Sequence, residues 1–382
     1  MAKPPTILQV IPALDAGGAE RTTIDIARAI VKEGLRSLVA TSGGRMEPLL
    51  TTTGSEIAHL RVNSKTPQTI FANALRLARL IRTKNISLIH ARSRAPAWSA
   101  WYAARATEIP FVTTYHGIYN ASNWLKRLYN SVMVQSDAII ANSEWTAAHI
   151  MREHGVPRER IKTIPRGVDL EEFDPASVPP ERIAEVRSRW QVGRDDLIIL
   201  LPGRLTRWKG QLVFIEALAQ LAREGFLAGV RAVLAGDVQG RDEYATEIEA
   251  AIAHSGLTHV VSIAGHVTDM AAGYLASDIV VSASTDPEAF GRVAAEAGAM
   301  GRPVIATDHG GARETVIANE SGLLVPPGDA AALARAIQQM IAIGEAGRTD
   351  MGERGRRHVR ERFSLERMCA DTLALYRALL AN

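Results

Sequence analysis

Short apolar runs alternate with amphipathic stretches along almost the whole chain, and this alternation limits the possible folds more than any other feature. Runs at 7–10, 37–40, 86–90, 111–115 and 138–141 read as strands, with helical patterns at 21–32 and 69–83 between them. The pattern resumes at 197–201, 231–235, 260–264, 279–282 and 303–306. Strands that alternate with helices form parallel sheets with crossover helices. A chain of 382 residues also exceeds one ordinary core. The expectation is an α/β protein with two Rossmann-like domains, 1–170 and 171–363, a cleft between them and a last helix at 364–382. The Pro-rich stretch 174–180 reads as the linker.

Charge adds a direction. Residues 1–169 hold 22 Lys+Arg and 12 Asp+Glu, a balance of +10; the remainder holds 44 − 22 = 22 basic and 41 − 12 = 29 acidic residues, a balance of −7. The first half is therefore expected to face an anionic partner. Nucleic acid is a poor candidate, because no recognised binding motif accompanies the charge. A single cysteine, Cys369, excludes an internal disulfide framework and fits a reducing compartment. No apolar run approaches the roughly 18 residues of a membrane span. Lys3 and the run from Ile7 to Leu14 carry Gln9 and Pro12 and end in a glycine loop, which suits a first strand better than a signal peptide.

The most informative stretch for chemistry runs from Asp286 to Gly301. Glu288 and Glu296 stand eight positions apart, with Phe290-Gly291 between them and a run of small residues after. Pro287 keeps Glu288 out of the helix, and Gly291 permits close approach to the backbone. The free N–H groups of a helix start favour an anion there. Taken alone, the stretch is equally a helix whose first turn is acidic for dipole reasons. Other loops follow strand ends, where doubly wound sheets hold ligands. Gly17 and Gly18 follow the first strand, in a spacing that is not the dinucleotide fingerprint G-x-G-x-x-G. Arg204 and Lys209, five positions apart between Gly203 and Gly210, can clamp a diphosphate. Arg207 is a weaker candidate, and Trp208 is expected to cover the loop. His116 ends a strand before Gly117, and His90 is the second histidine at a strand end. No Asp-x-Asp pair and no His/Cys cluster suggests a metal site.

The Glu288–Glu296 stretch resembles the E-x7-E motif of the retaining glycosyltransferases of family 4, which have the GT-B fold. Further landmarks follow in family order: Asp15-Ala-Gly-Gly-Ala-Glu-Arg21, Tyr115-His-Gly117, Ala141-Asn-Ser143, Ile164-Pro-Arg-Gly-Val-Asp169, Gly203-Arg-Leu-Thr-Arg-Trp-Lys-Gly210, Ala264-Gly-His266 and Gly310-Gly311. One departure is Arg166, where the family pattern usually has Asn. The resemblance implies a metal-independent, retaining hexosyltransferase with a nucleoside-diphosphate sugar as co-substrate and no other cofactor. It implies that His116 contacts the transferred sugar, Glu288 holds that sugar's hydroxyls and Glu296 holds the ribose. It places Arg204 and Lys209 on the diphosphate, and adds Gly17, Gly18, Phe290, Gly291, His266 and Val267 to the donor contacts. It also implies that the last helix returns to the N-terminal, acceptor-side domain.

Residues 121–134 place Trp124, Leu125, Leu128 and Val132 at helical spacing beside Lys126 and Arg127. Such a stripe either meets an anionic membrane surface or packs inside the first domain. The membrane reading agrees with a lipid-linked or polysaccharide acceptor and a cytoplasmic enzyme at the inner face of the plasma membrane, in cell-envelope glycan (lipopolysaccharide-type) synthesis. Two rivals share the donor cleft: a nucleotide-sugar epimerase of the same fold and a non-catalytic sugar-nucleotide-binding subunit.

Overall fold

The computed structural model describes residues 4–15, 17–117, 119 and 123–381. The chain divides into two compact units, Met1–Gly167 with Leu365–Asn382, and Val168–Ser364. Each unit is built on one sheet, and every strand pair in both sheets is parallel.

The first sheet holds β1 (Thr6–Val10), β2 (Arg36–Thr41), β3 (Glu56–His59), β4 (Ile86–Ala91), β5 (Phe111–Tyr115), β6 (Ala138–Ala141) and β7 (Ile161–Thr163), in the order β3-β2-β1-β4-β5-β6-β7. Helices cover both faces, so β1 and β5 are buried at every position, polar residues included. Buried Gln9 meets that constraint by donating from Nε2 to the Thr23 carbonyl at 3.0 Å. Helix boundaries follow local chemistry. Pro67 opens the helix Pro67–Lys84, and Asn85 closes it in the left-handed region at φ 52°. Ser143 accepts from the Thr146 N–H at 3.0 Å and starts the helix Glu144–His154.

The last helix, Leu365–Ala381, packs on the helix Gly18–Lys32 and on β4. Met368, Leu373 and Tyr376 join Ile7, Ile26, Ile30 and Leu88 in one buried cluster. The end of the chain thus completes the core that its beginning starts. Cys369, half-buried in this helix, has its thiol pushed up to about 12 by burial.

The second sheet holds β8 (Leu197–Pro202), β9 (Val230–Ala235), β10 (Val261–Gly265), β11 (Ile279–Ser282), β12 (Val304–Thr307) and β13 (Gly322–Val325), in the order β10-β9-β8-β11-β12-β13. In each sheet the order reverses at a switch point, between β1 and β4 in one and between β8 and β11 in the other. Ligands of such sheets gather beyond the carboxyl ends of the strands at that point.

Three short strands, β3, β7 and β13, escape the sequence reading. β3 and β7 are edge strands with half-exposed, partly polar residues, so neither presents a continuous apolar run. The stretch 174–180 is not a linker. Asp174 accepts from Ala176 N to cap the turn Pro175–Ser177, Pro180 opens the helix Pro180–Arg189, and Arg356 pairs with Asp174 at 3.1 Å inside the second unit. Proline here starts elements rather than separating them.

Candidate functional site

In the second unit, the loops after β8 and β11 flank the switch point and are stapled together. Thr285 N donates to the Trp208 carbonyl at 2.7 Å. A Cβ on Gly210 would lie 1.9 Å from the Ala283 carbonyl oxygen, so only glycine fits there. On the other side, a Cβ on Gly310 would meet the Glu288 carbonyl at 2.3 Å and one on Gly311 the Phe290 carbonyl at 2.4 Å. The two glycines let the β12 loop press against the Glu288 turn. His309 Nε2 and Thr307 Oγ1 both reach the Ser284 carbonyl, at 2.8 and 2.9 Å.

This framework brings Lys209 and Glu288 into contact. Lys209 Nζ donates to Glu288 Oε1 at 2.7 Å, with both side chains mostly shielded. Ser284 Oγ donates to the same oxygen at 2.5 Å. The ammonium also lies 4.5 Å from the centre of the Trp208 ring. An ammonium has three donors, so the bond to Glu288 leaves Lys209 able to reach phosphate oxygens. Arg204, on the same loop, is exposed, and no described residue pairs with its guanidinium. Arg207 is engaged with Glu247 at 2.8 Å and with the Tyr244 ring at 5.1 Å, which holds it to the helix Asp242–His254.

Gly291, at φ 88°, caps the helix Arg292–Ala299, and no side chain caps that helix start. Glu296 comes one turn later and is buried. Arg292 holds Glu296 Oε1 through Nε at 2.9 Å and Nη2 at 2.5 Å, while the Tyr274 hydroxyl donates to Oε2 at 2.9 Å. Glu296 raises the pKa of Arg292, and burial followed by the same carboxylate raises that of Tyr274. Glu296 is thus a fixed carboxylate with spare acceptor capacity. Ser284, Tyr274, Arg292 and His309 were not legible as site residues, since nothing in their spacing marks them. Phe290 is present through its backbone: its ring is buried and meets Phe363 edge-on at 5.6 Å. His266 is exposed and Val267 half-buried just after β10, beyond β9 on the same carboxyl edge.

The first unit carries the other candidates. Gly17, at φ 153°, is the N-cap of the helix Gly18–Lys32, again without a side-chain cap. The Glu20 carboxylate lies over Gly17, within 2.5 Å of where a Cβ would stand. Ala16 of this loop lies outside the described residues. His116 follows β5 and is half-buried. Arg166 donates to its Nδ1 at 3.1 Å and to its carbonyl at 3.2 Å. That assigns the proton of the neutral ring to Nε2, which is buried without a partner. Burial, then the charges of Arg92 and Arg166, hold the His116 pKa well below the usual range. His90 is structural: Nδ1 meets the Tyr376 hydroxyl at 2.5 Å and Nε2 meets Thr114 Oγ1 at 2.7 Å.

Of the stripe 121–134, Ala121 and Ser122 lie outside the described residues. The helix is Trp124–Ser131, capped by Asn123. Trp124 is 70% exposed, Leu125 58% and Leu128 55%, with Lys126 and Arg127 exposed between them. Val132 departs from the expected face: it is fully buried in a 3-10 turn. Among the described residues no helix is long and apolar enough to cross a membrane, and no group of three metal-ligating side chains occurs.

Two family models match the chain, Glycosyltransferase Family 4 over residues 16–172 and Glycosyl transferases group 1 over 183–358. A crystal structure of a glycosyltransferase from Rickettsia africae is 36% identical, covers 100% of both chains and superposes with a TM-score of 0.92. Alr3699/HepE of Anabaena, crystallised with UDP and glucose, is 26% identical, covers 98% of this chain and 100% of its own, and has a TM-score of 0.85. A D-inositol 3-phosphate glycosyltransferase of Xylanimonas cellulosilytica is 29% identical over 95% of this chain and 92% of its own.

Proposed function

The chain belongs to glycosyltransferase family 4, and on that premise we propose that it moves a hexose from a nucleoside-diphosphate sugar to a glycolipid or polysaccharide acceptor, with retention of configuration. The reading rests above all on the Lys209–Glu288 contact at the switch point, with Arg204 on the same loop and the uncapped helix start at Gly291 beside it. Arg204 and Lys209 meet the charge that grows on the diphosphate as the bond to the sugar breaks. Glu288 accepts from hydroxyls of the transferring sugar, and Glu296, held by Arg292 and Tyr274, accepts from the ribose. The leaving phosphate takes the acceptor proton on the same face of the sugar. The UDP in the crystals of the Anabaena relative supports the donor class. The name of the Xylanimonas relative supports a second reading of the acceptor, a small phosphorylated polyol.

A thermal-unfolding screen of nucleoside diphosphates and their sugars tests the donor. A ligand at 100 times its Kd stabilises the folded protein by about 2.7 kcal/mol. At least one nucleotide should do so, and Glu296→Gln should blunt the shift. A flat screen contradicts the proposal.

Turnover should also persist in excess chelator, because cationic side chains take the place of a metal at the diphosphate. Loss of activity on chelation, restored by manganese or magnesium, would reverse that assignment.

The exposed Trp124, Leu125 and Leu128, flanked by Lys126 and Arg127, support peripheral attachment to an anionic membrane, in keeping with a cytoplasmic enzyme at the inner face of the plasma membrane. Each basic residue at such a surface contributes about 1 kcal/mol, screened within a Debye length of about 10 Å at 0.1 M salt. Binding to anionic vesicles should weaken steeply with salt and be absent on neutral lipid. Changing Trp124→Ser with Lys126→Glu and Arg127→Glu should release the protein and leave it folded. Unchanged sedimentation with anionic vesicles would place the attachment elsewhere.

A further inference from the structure

Ser284 lies two residues past β11 and is 2% exposed. Its hydroxyl has one proton, which goes to Glu288 Oε1 at 2.5 Å, the length of a charge-assisted O–H···O⁻ bond. A serine in an ordinary local turn bonds backbone groups instead. Lys209 Nζ meets the same carboxylate oxygen at 2.7 Å. With two donors on one oxygen, the carboxylate cannot turn about its last bond without losing both. The two donors differ in kind. The ammonium is shared with the diphosphate assigned to it, whereas the neutral hydroxyl spends its single proton on Glu288.

Ser284 is itself held by its carbonyl. Thr307 Oγ1 donates to that oxygen at 2.9 Å, and His309 Nε2 stands 2.8 Å from it. A carbonyl only accepts, so the neutral His309 ring carries its proton on Nε2. The His309 backbone N–H donates to the Thr307 carbonyl at 2.8 Å, which closes a tight turn after β12. Gly310 and Gly311 follow, and Gly311 N donates to the Glu288 carbonyl at 2.8 Å. The β12 loop thus sets Glu288 from two sides: its backbone through Gly311, and its carboxylate through Ser284, which Thr307 and His309 hold in place.

We propose that Ser284 is a positioning residue for glycosyl transfer: its hydroxyl sets the Glu288 carboxylate against the transferring sugar, and His309 sets Ser284. The inference rests on the glycosyl-transfer reading and deepens it by naming what orients the sugar-holding carboxylate. Ser284 affects the sugar and not the nucleotide, because the ribose is assigned to Glu296, which Arg292 and Tyr274 hold separately.

Calorimetry on the full chain with UDP, ADP and GDP, and with the glucose conjugate of each, tests this. The quantity read is the ratio of affinities, conjugate over free nucleotide, for the pair that binds best. Ser284→Ala should lower that ratio by about 10-fold, the order expected for a lost hydrogen bond to a charged group, and leave the affinity for free nucleotide unchanged. In a Glu288→Ala background the same substitution should lower the ratio no further, because nothing remains for the hydroxyl to orient. His309→Gln places an amide N–H near the position of Nε2 and should keep the parent ratio, whereas His309→Leu should lower it as Ser284→Ala does. Equal loss of free nucleotide and conjugate in Ser284→Ala would make Ser284 a structural residue of the loop and overturn the proposal. So would an unchanged ratio in Ser284→Ala, a further fall in the Glu288→Ala background, or equal ratios in His309→Gln and His309→Leu. If none of these ligands binds the parent protein, the glycosyl-transfer reading itself fails; if a conjugate binds and Ser284→Ala leaves its ratio unchanged, only the positioning role fails.

Discussion

Lys209→Ala should lower turnover at saturating donor by about 10²-fold or more, the usual result of removing one charge contact to a developing anion. The substitution acts twice. It withdraws the ammonium that would meet the leaving diphosphate, and it takes from Glu288 the cation that stands 2.7 Å from its carboxylate, with Ser284 still donating to the same oxygen. An unneutralised carboxylate beside a diphosphate repels it. Arg204→Ala should have a comparable effect on turnover with almost none on stability, because Arg204 is exposed and supports no described neighbour through its side chain. The pair therefore separates the two contributions. Thermal unfolding confirms that both variants fold, and initial rates at saturating donor give the effect. Near-normal turnover in both variants would remove the diphosphate assignment.

The two carboxylates of the Glu288–Glu296 pair should fail differently. Glu296→Gln should weaken nucleotide binding by about 10- to 100-fold, because a hydrogen bond to a charged group contributes about 1.5–3 kcal/mol. The amide also leaves Arg292 without its carboxylate, so the site becomes more positive while losing the acceptor for the ribose. Glu288→Gln should bind nucleoside diphosphate nearly as the parent does and turn over slowly once the donor is bound. Its carboxylate stands with Lys209 and Ser284, where the transferring sugar is assigned, rather than with Tyr274. Titration calorimetry with the free nucleoside diphosphate gives the first quantity and single-turnover rates the second. Weaker nucleotide binding in Glu288→Gln than in Glu296→Gln would exchange the two roles.

The fold was legible because buried parallel strands carry continuous apolar runs, as 197–201 and 279–281 do. What stayed hidden was short or at an edge. β3 is half polar, and β13 is a four-residue edge strand beginning at Gly322, where any Cβ would lie 2.2 Å from the Val304 carbonyl. The candidate site was legible where chemistry and spacing coincide, in Glu288, Glu296, Arg204 and Lys209, of which the structure brings Lys209 and Glu288 into contact. It was illegible where tertiary contact alone recruits a residue. Tyr274 is 22 positions from Glu296 in sequence and bonded to it in space. The stripe 121–134 divides for a related reason: helical spacing cannot show that the helix ends at Ser131 and that the next turn buries Val132.

Proton NMR of the reaction between the most strongly bound nucleotide-sugar and a phosphorylated or lipid-linked acceptor tests the central claim most directly. The account predicts release of nucleoside diphosphate in step with one new glycosidic anomeric signal, in the configuration of the donor. An inverted product, or an epimerised nucleotide-sugar with no new glycoside, would contradict it.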